Sequence, residues 1–99
     1  MSQTVMSIRW RGVTPEQYEQ AREVVNWEGD VPDGAVLHVA GFDSEGIRVT
    51  DVWESEQHFD RFVESRLMPG VQQVGIEGQP QVEFYALQNI FNPRVPAAA

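Results

Sequence analysis

The chain has 99 residues, of which 41% are hydrophobic and 22% charged, and it carries a formal net charge of −8. This size predicts one small domain over residues 1–91, and the acidic balance argues against nucleic acid or an anionic membrane surface as a partner. The sequence has no cysteine and no apolar run near the roughly 20 residues of a membrane span, which predicts a cytoplasmic protein without disulfides.

An amphipathic strand and a capped helix begin the chain. Residues 4–10 alternate between the two sides of the backbone, with the period of a β-strand. Residues 14–17 read Thr-Pro-Glu-Gln, which supplies an N-cap, a proline for the first turn and the glutamine of a capping box. The apolar stripe of this helix is predicted at Tyr18, Ala21, Val24 and Val25. Turn-forming residues over 29–34 end the helix.

A β-hairpin follows. Two β-rich segments, 35–42 and 46–54, flank the turn sequence Asp43-Ser44-Glu45-Gly46. A symmetric turn pairs residues whose numbers sum to 89, so that His38 faces Asp51 across the two strands. A one-residue bulge at the turn glycine would instead separate this pair.

The remaining residues predict a second helix, a last strand and a tail. Ser55 is the expected N-cap of the helix. The apolar face of the helix is formed by Phe59, Phe62, Val63 and Leu67. Pro69-Gly70 is predicted to interrupt the helix, with one short turn resuming over residues 71–74. The last strand is expected over residues 81–90, and the tail, residues 92–99, is expected to be loose.

The element order βαββαβ predicts an α+β, ferredoxin-like fold, in which both helices cover one face of an antiparallel sheet. All four strands carry apolar residues on both sides. A sheet covered on one side only would expose a larger apolar patch than monomers usually tolerate. We therefore expect a homodimer in which a second copy covers the other face.

The strand end Val52-Trp53-Glu54-Ser55, followed by Phe59 and Phe62 and preceded by residues 37–42, resembles the dimeric α/β-barrel superfamily. This group contains antibiotic-biosynthesis monooxygenases, haem-degrading monooxygenases and polyketide cyclases, and the chain is most similar to uncharacterised members of the actinobacterial type. The resemblance spans residues 5–91. It implies two ferredoxin-like domains packed sheet to sheet, with a ligand cavity inside each half of the barrel.

Trp53 is the one family site residue that this sequence retains. Val49 and Phe59 stand where the antibiotic-type oxygenases have an asparagine and a tyrosine. Val63 stands at the position of the axial histidine of the haem-degrading branch. The resemblance therefore implies neither haem nor any other cofactor.

His38 and Asp51 are the candidate catalytic residues, because the predicted register brings them together on a mostly apolar surface. The predicted substrate-binding residues on the same face are Val36, Phe42, Val49 and Trp53. In this hypothesis Asp51 orients one imidazole nitrogen while the other acts as base on a carbon acid or a phenol. The chain would then be a cofactor-independent monooxygenase, cyclase or isomerase that acts on a small apolar or aromatic compound.

The alternative is a non-enzymatic homodimer, a binding or stress-related protein, in which His38 and Asp51 only satisfy each other. A buried polar group without a partner costs roughly 1–3 kcal/mol, and avoiding this cost is sufficient to explain why the two side chains pair. The other histidine, His58, is expected on a solvated helix face. The two histidines fall on different elements without carboxylates at ligand spacing, so no metal site is predicted.

Overall fold

A four-stranded antiparallel sheet with helices on one face forms the structure, a computed structural model that describes residues 3–94. The strands are β1 (Thr4–Arg11), β2 (Ala35–Asp43), β3 (Gly46–Trp53) and β4 (Gln81–Ala86). The helices are α1 (Pro15–Val25), α2 (Glu56–Phe62) and α3 (Met68–Val74), and a π-helical turn, Val63–Leu67, joins α2 to α3. The strand order β2-β3-β1-β4 confirms the predicted ferredoxin-like α+β fold. From residue 95 onward, the predicted loose tail lies outside the described residues.

The core lies between the sheet and the helices. Met6 of β1 is fully buried there, and Trp53 of β3 packs against Phe59 and Phe62, with ring centroids 5.5 and 5.4 Å apart. Burying each such large side chain stabilises the fold by roughly 1.5–3 kcal/mol. None of the described helices has the length and apolarity that crossing a membrane requires.

The start of α1 has the predicted capping box. The Thr14 hydroxyl accepts a hydrogen bond from the Gln17 backbone N–H, and the Gln17 side chain accepts one from the Thr14 N–H, both at 3.1 Å. Ala21 and Val25 are buried as predicted, but Val24 is 41% exposed. The prediction for Val24 is wrong because six residues after Tyr18 a helix has turned far past the face that the tyrosine occupies.

The second helix continues through Pro69, so the predicted interruption is wrong. The Met68 N–H bonds to the carbonyl of Val63, five residues earlier, which widens the helix by one π turn. Pro69 then stands in the first turn of α3, where its missing N–H costs little. Gly70 follows with no side chain, and a methyl group there would overlap the buried Val25 of α1.

The hairpin closes without a bulge at the turn. One carboxylate oxygen of Asp43 accepts hydrogen bonds from the backbone N–H groups of Glu45, at 2.8 Å, and Gly46, at 3.1 Å. The strands pair as predicted, so that His38 lies opposite Asp51. Asp43 and the turn glycine therefore set the register of the two strands.

A bulge interrupts the pairing of β2 and β3 at the opposite end of the hairpin. Ala35 pairs with Trp53 and Leu37 pairs with Val52, which leaves Val36 as the extra residue. Val36 was predicted to lie directly opposite Trp53, and that prediction is wrong because the bulge shifts the start of β2 by one residue.

Strand β4 is shorter than predicted. It ends at Ala86, which pairs with Thr4, the first residue of β1. One further backbone hydrogen bond, from the Leu87 N–H to the Gln3 carbonyl, follows at 2.9 Å. The expected extension to residue 90 is wrong: among the described residues, the pairing with β1 ends at Thr4, where that strand begins.

The sheet face that points away from the helices is apolar at one end only. Residues paired across antiparallel strands share a face, and the row nearest the start of β1 is Leu37, Val52, Val5 and Tyr85. Two rows further along, Arg48 and Arg9 occupy the same face. We call this side of the sheet the outer face, and its apolar character is confined to one end rather than spread over all strands.

Replacing Gly46 with alanine tests the close contact between the hairpin turn and strand β1. A methyl group at Gly46 would overlap the backbone carbonyl of Trp10, which has no freedom to rotate away. We expect a loss of about 1–3 kcal/mol in the free energy of unfolding, measured by urea denaturation.

Gly41→Ala in β2 is the matched control for this substitution, because the added methyl meets no atom within 4 Å. Its free energy of unfolding is expected to stay within about 0.5 kcal/mol of the wild type. Equal losses in both variants would contradict the described contact.

Candidate functional site

A cavity of about 420 Å³ lies between the sheet and its own helices. Its size falls within the range of pockets that bind small organic molecules. Its sheet wall is formed by residues that include Ile8, Trp10, Ile47, Val49 and Trp53. Its helix wall includes Ala21, Phe59, Phe62, Leu67 and Val71. The resemblance implied a cavity inside half of a barrel, and the structure locates it on the helix side of the sheet within one chain.

Three hydrogen bonds in series connect four side chains along one wall of this cavity. The Tyr18 hydroxyl lies 2.7 Å from Nε2 of His38, and Nδ1 of the same imidazole lies 2.7 Å from Oδ1 of Asp51. The Trp53 indole N–H donates to the second oxygen, Oδ2, of Asp51 at 3.0 Å. Four side chains from α1, β2 and β3 thus form one connected polar network, and all four line the cavity.

The partners define which group donates each proton. An indole N–H only donates and a carboxylate only accepts, so Asp51, 6% exposed, receives a hydrogen bond on each of its oxygens. Nδ1 of His38 therefore carries a proton, and in the neutral imidazole Nε2 is the acceptor for the Tyr18 hydroxyl. This is the tautomer in which the imidazole can take up a second proton at Nε2.

The predicted substrate-binding residues divide between the cavity and its surroundings. Val49 and Trp53 form part of the wall, and the bulged Val36 lines the cavity while remaining partly exposed. Phe42 is not among the lining residues, and its ring lies edge-on to Tyr18 with centroids 6.2 Å apart. Phe42 thus contacts the polar network from outside the cavity.

His58 lies outside the cavity and is less solvated than predicted. Its Nδ1 is 2.6 Å from the hydroxyl of the N-cap Ser55, and its ring packs against the backbone of Gly34. The expected solvated position is wrong, because the loop before β2 folds over the start of α2. Within residues 3–94, no three His, Asp or Glu side chains are grouped as a metal site would require.

No family model and no curated protein matches the sequence. Solved structures match its fold. SnoaB, a cofactor-independent oxygenase from Streptomyces nogalater, gives a TM-score of 0.67 at 11% identity, over 91% of this chain and 97% of that chain. A protein of unknown function from Nitrosomonas europaea, NE2512, gives 0.67 at 14% identity, over 94% and 96%. The ActVA-Orf6 monooxygenase of Streptomyces coelicolor, solved with nanaomycin D, gives 0.55 at 18% identity, over 93% and 92%.

The chain has the ferredoxin-like fold of these proteins. The ferredoxin-like fold of the single chain, which the resemblance implied, is therefore confirmed. Identities of 11–18% establish the architecture alone, since a fold of this kind accommodates many activities and function depends on the individual site.

Sequence reasoning missed Tyr18 as a member of the network. It assigned the tyrosine to the apolar stripe of α1, and that stripe does face the sheet, where Ala21 and Val25 are buried. Tyr18 is the one hydroxyl-bearing residue of the stripe, a signal that the helix carries a polar group toward the sheet. Its distance from His38 depends on how the helix packs in the ferredoxin-like fold, which spacing along the sequence does not give.

Trp27 was also missed. It follows Asn26, which ends α1 in the left-handed conformation with φ of 58°. This turn directs the indole back toward the network, with centroid distances of 5.3 Å to His38 and 5.8 Å to Tyr18. Trp27 also lines the cavity, so that an aromatic ring covers the imidazole beside the tyrosine.

Titration of the tyrosines tests the environment of the half-buried Tyr18. Burial raises the pKa of Tyr18, an effect that the charge of Arg22 partly opposes, and a hydrogen bond to Glu83 raises the pKa of Tyr85. We expect ultraviolet absorbance to show both tyrosines ionising above the ordinary value of about 10. Tyr18→Phe is expected to remove one of the two signals, and ionisation of Tyr18 at or below its ordinary value would contradict the described environment.

The same shift has a consequence for stability at alkaline pH. The folded state holds the Tyr18 proton more tightly than the unfolded chain does, so this contribution to stability is complete below about pH 10 and is lost as pH rises through the folded pKa. As pH is raised above about 10, the melting temperature of Tyr18→Phe is therefore expected to fall less than that of the wild type.

Proposed function

We propose that this protein is a cofactor-independent enzyme that removes a proton from a small apolar or aromatic carbon acid or phenol. The observation that supports this most is the hydrogen-bonded series Tyr18, His38 and Asp51 on the wall of a mostly apolar cavity. An imidazole that is oriented by a carboxylate and accessible from a ligand cavity has the arrangement expected of a general base.

In the resting state, His38 holds one proton, on the nitrogen that faces Asp51. When substrate binds, the proton of the substrate passes to the Tyr18 oxygen. At the same time the hydroxyl proton of Tyr18 passes to Nε2 of His38. The imidazolium that results is stabilised by the carboxylate of Asp51, itself held by Trp53. Because burial raises the pKa of Tyr18, a free tyrosinate is disfavoured, and the two proton movements are coupled.

Removal of the proton leaves a carbanion from a carbon acid, or a phenolate whose negative charge is shared with ring carbons, and this carbon nucleophile can enter three kinds of reaction. Molecular oxygen accepts the electron pair and a proton to give a hydroperoxide, which makes an oxygenase. Addition of the carbanion to a carbonyl of the same molecule makes a cyclase, and reprotonation at another carbon makes an isomerase. None of these outcomes requires more of the chain than a positioned base and an apolar cavity.

The solved structures with this fold support the oxygenase among the three. SnoaB is described as a cofactor-independent oxygenase, and the ActVA-Orf6 protein as a monooxygenase. Both share the fold with this chain and neither exceeds 18% identity to it. We therefore favour oxygen as the second substrate, with proton removal by His38 as the first step.

Deuterium exchange into a simple carbon acid tests the proton-removal step, whatever the natural substrate is. 2-Tetralone is an aromatic ketone with an acidic C–H, and proton NMR in D₂O follows the loss of that signal. The wild-type protein is expected to accelerate exchange, and His38→Ala is expected to lose about 100-fold or more of this acceleration. Tyr18→Phe keeps the imidazole but removes the hydroxyl through which the substrate proton reaches it. A loss of exchange acceleration of the same order is therefore expected.

His58→Ala is the matched control, because it removes the other histidine, which lies outside the cavity. It is expected to exchange 2-tetralone at the wild-type rate. Wild-type rates in His38→Ala would contradict the proposed base, and the non-enzymatic binding function would then be the better account of the cavity.

We also propose that the protein is a homodimer formed through the outer face of the sheet. The apolar row at one end of that face includes Val5 and Tyr85, which is 51% exposed, and the neighbouring Val39 is 54% exposed. Helices cover only the opposite face. A second copy, packed sheet to sheet, would remove this apolar row from water in both chains.

Val39→Glu tests the homodimer by placing a charge on the outer face. Sedimentation equilibrium is expected to give the wild type a mass near twice that of the chain, and the variant a mass near that of one chain, because burial of an unpaired carboxylate is costly. Val24→Glu, a similar change at an exposed position of α1, is the control and should leave the wild-type mass unchanged. A monomeric wild type would contradict the proposal.

A further inference from the structure

The formally charged side chains that line the cavity are all acidic. They are the two carboxylates of Glu28 and Asp51. The seven basic residues of the chain are all arginines, every one of them is within the described residues 3–94, and none lines the cavity. A ligand that enters with a negative charge therefore meets no cationic side chain.

The hydrogen-bond network supplies one positive charge, and only after it receives a proton. Asp51 already accepts hydrogen bonds on both oxygens, and its charge becomes balanced when the imidazole of His38 is protonated. A neutral ligand that gives up one proton leaves its own negative charge beside this imidazolium. A ligand that is already ionised adds a second negative charge for which the cavity has no counterion, and burying such a charge is unfavourable.

The mouth of the cavity adds to this selection. Glu28 lines the cavity and is exposed, and its carboxylate forms an ion pair with Nε of Arg22 at 2.9 Å. Arg22 also pairs with Glu19, at 3.1 Å, so two carboxylates share one guanidinium. With a formal charge of −8 on the whole chain, an approaching anion meets repulsion before it reaches the cavity.

We propose that the cavity selects uncharged ring compounds, phenols and ketones that still carry their proton, and discriminates against the corresponding carboxylates. This inference rests on the proposed function, because it assumes that the cavity binds substrate and that His38 receives one proton from it. The substrate is then a weak acid that binds in its neutral, protonated form, and not an acid that is already ionised in solution.

Isothermal titration calorimetry with 2-naphthol and 2-naphthoate tests the selection, since the two probes share a ring system and differ in charge at neutral pH. Wild-type protein is expected to bind 2-naphthol at least about tenfold more tightly than 2-naphthoate. Val31 lines the cavity and is 66% exposed, so Val31→Arg adds a cation at the mouth without disturbing the core. This variant is expected to gain about tenfold or more in affinity for 2-naphthoate, and none for 2-naphthol.

Val24→Arg is the matched control, an added cation on an exposed residue that does not line the cavity, and both affinities should remain at wild-type values. Equal binding of the two probes to the wild type would overturn the charge selection and leave the proposed function standing. Failure of 2-naphthol to bind at all would overturn both, because the cavity would then not take ring compounds. Loss of base activity is read separately, from deuterium exchange in His38→Ala.

Discussion

The pairing of β2 with β3 is the constraint on which the site depends, because it places an imidazole against a carboxylate. A slip of one residue in this register would turn His38 to the outer face and leave Asp51 buried without its partner. The turn prevents such a slip: Asp43 accepts two backbone hydrogen bonds, and Gly46 approaches the carbonyl of Trp10 too closely for any side chain. The geometry of a surface turn thus determines the chemistry of a site five residues away along each strand, at His38 and Asp51.

The second requirement is that the helices leave space above that pair. Aromatic rings, among them Trp10, Trp53 and Phe62, line a cavity that remains open between the two layers. Tyr18 and Trp27 then bring a hydroxyl and an indole from α1 and the turn after it to the imidazole. Partial burial against apolar side chains strengthens these hydrogen bonds and makes an unpaired charge costly, so the same surroundings support proton transfer and restrict which ligands enter.

Local sequence signals predicted the parts of this arrangement that are set by local structure. The capping box at Thr14, the hairpin turn and the pairing of His38 with Asp51 all follow from residues close together in the chain, and the structure has each of them. The bulge at Val36 and the π turn before Met68 were not predicted, because each adds one residue to a regular repeat and the periods of strand and helix carry no signal for it. The cavity and the third member of the network depend on how far α1 stands from the sheet, a distance that no periodicity encodes.

The proposed chemistry requires that His38 be held in one tautomer, with its proton toward Asp51 and its free nitrogen toward Tyr18. Long-range proton–nitrogen NMR of the imidazoles measures this directly, and His58 provides an internal reference, since its Nδ1 faces the Ser55 hydroxyl. The structure predicts the proton on Nδ1 in His38, because that nitrogen faces a carboxylate. A proton found on Nε2 of His38 would contradict the account, because that nitrogen would then be unable to accept a proton from Tyr18 or from a substrate.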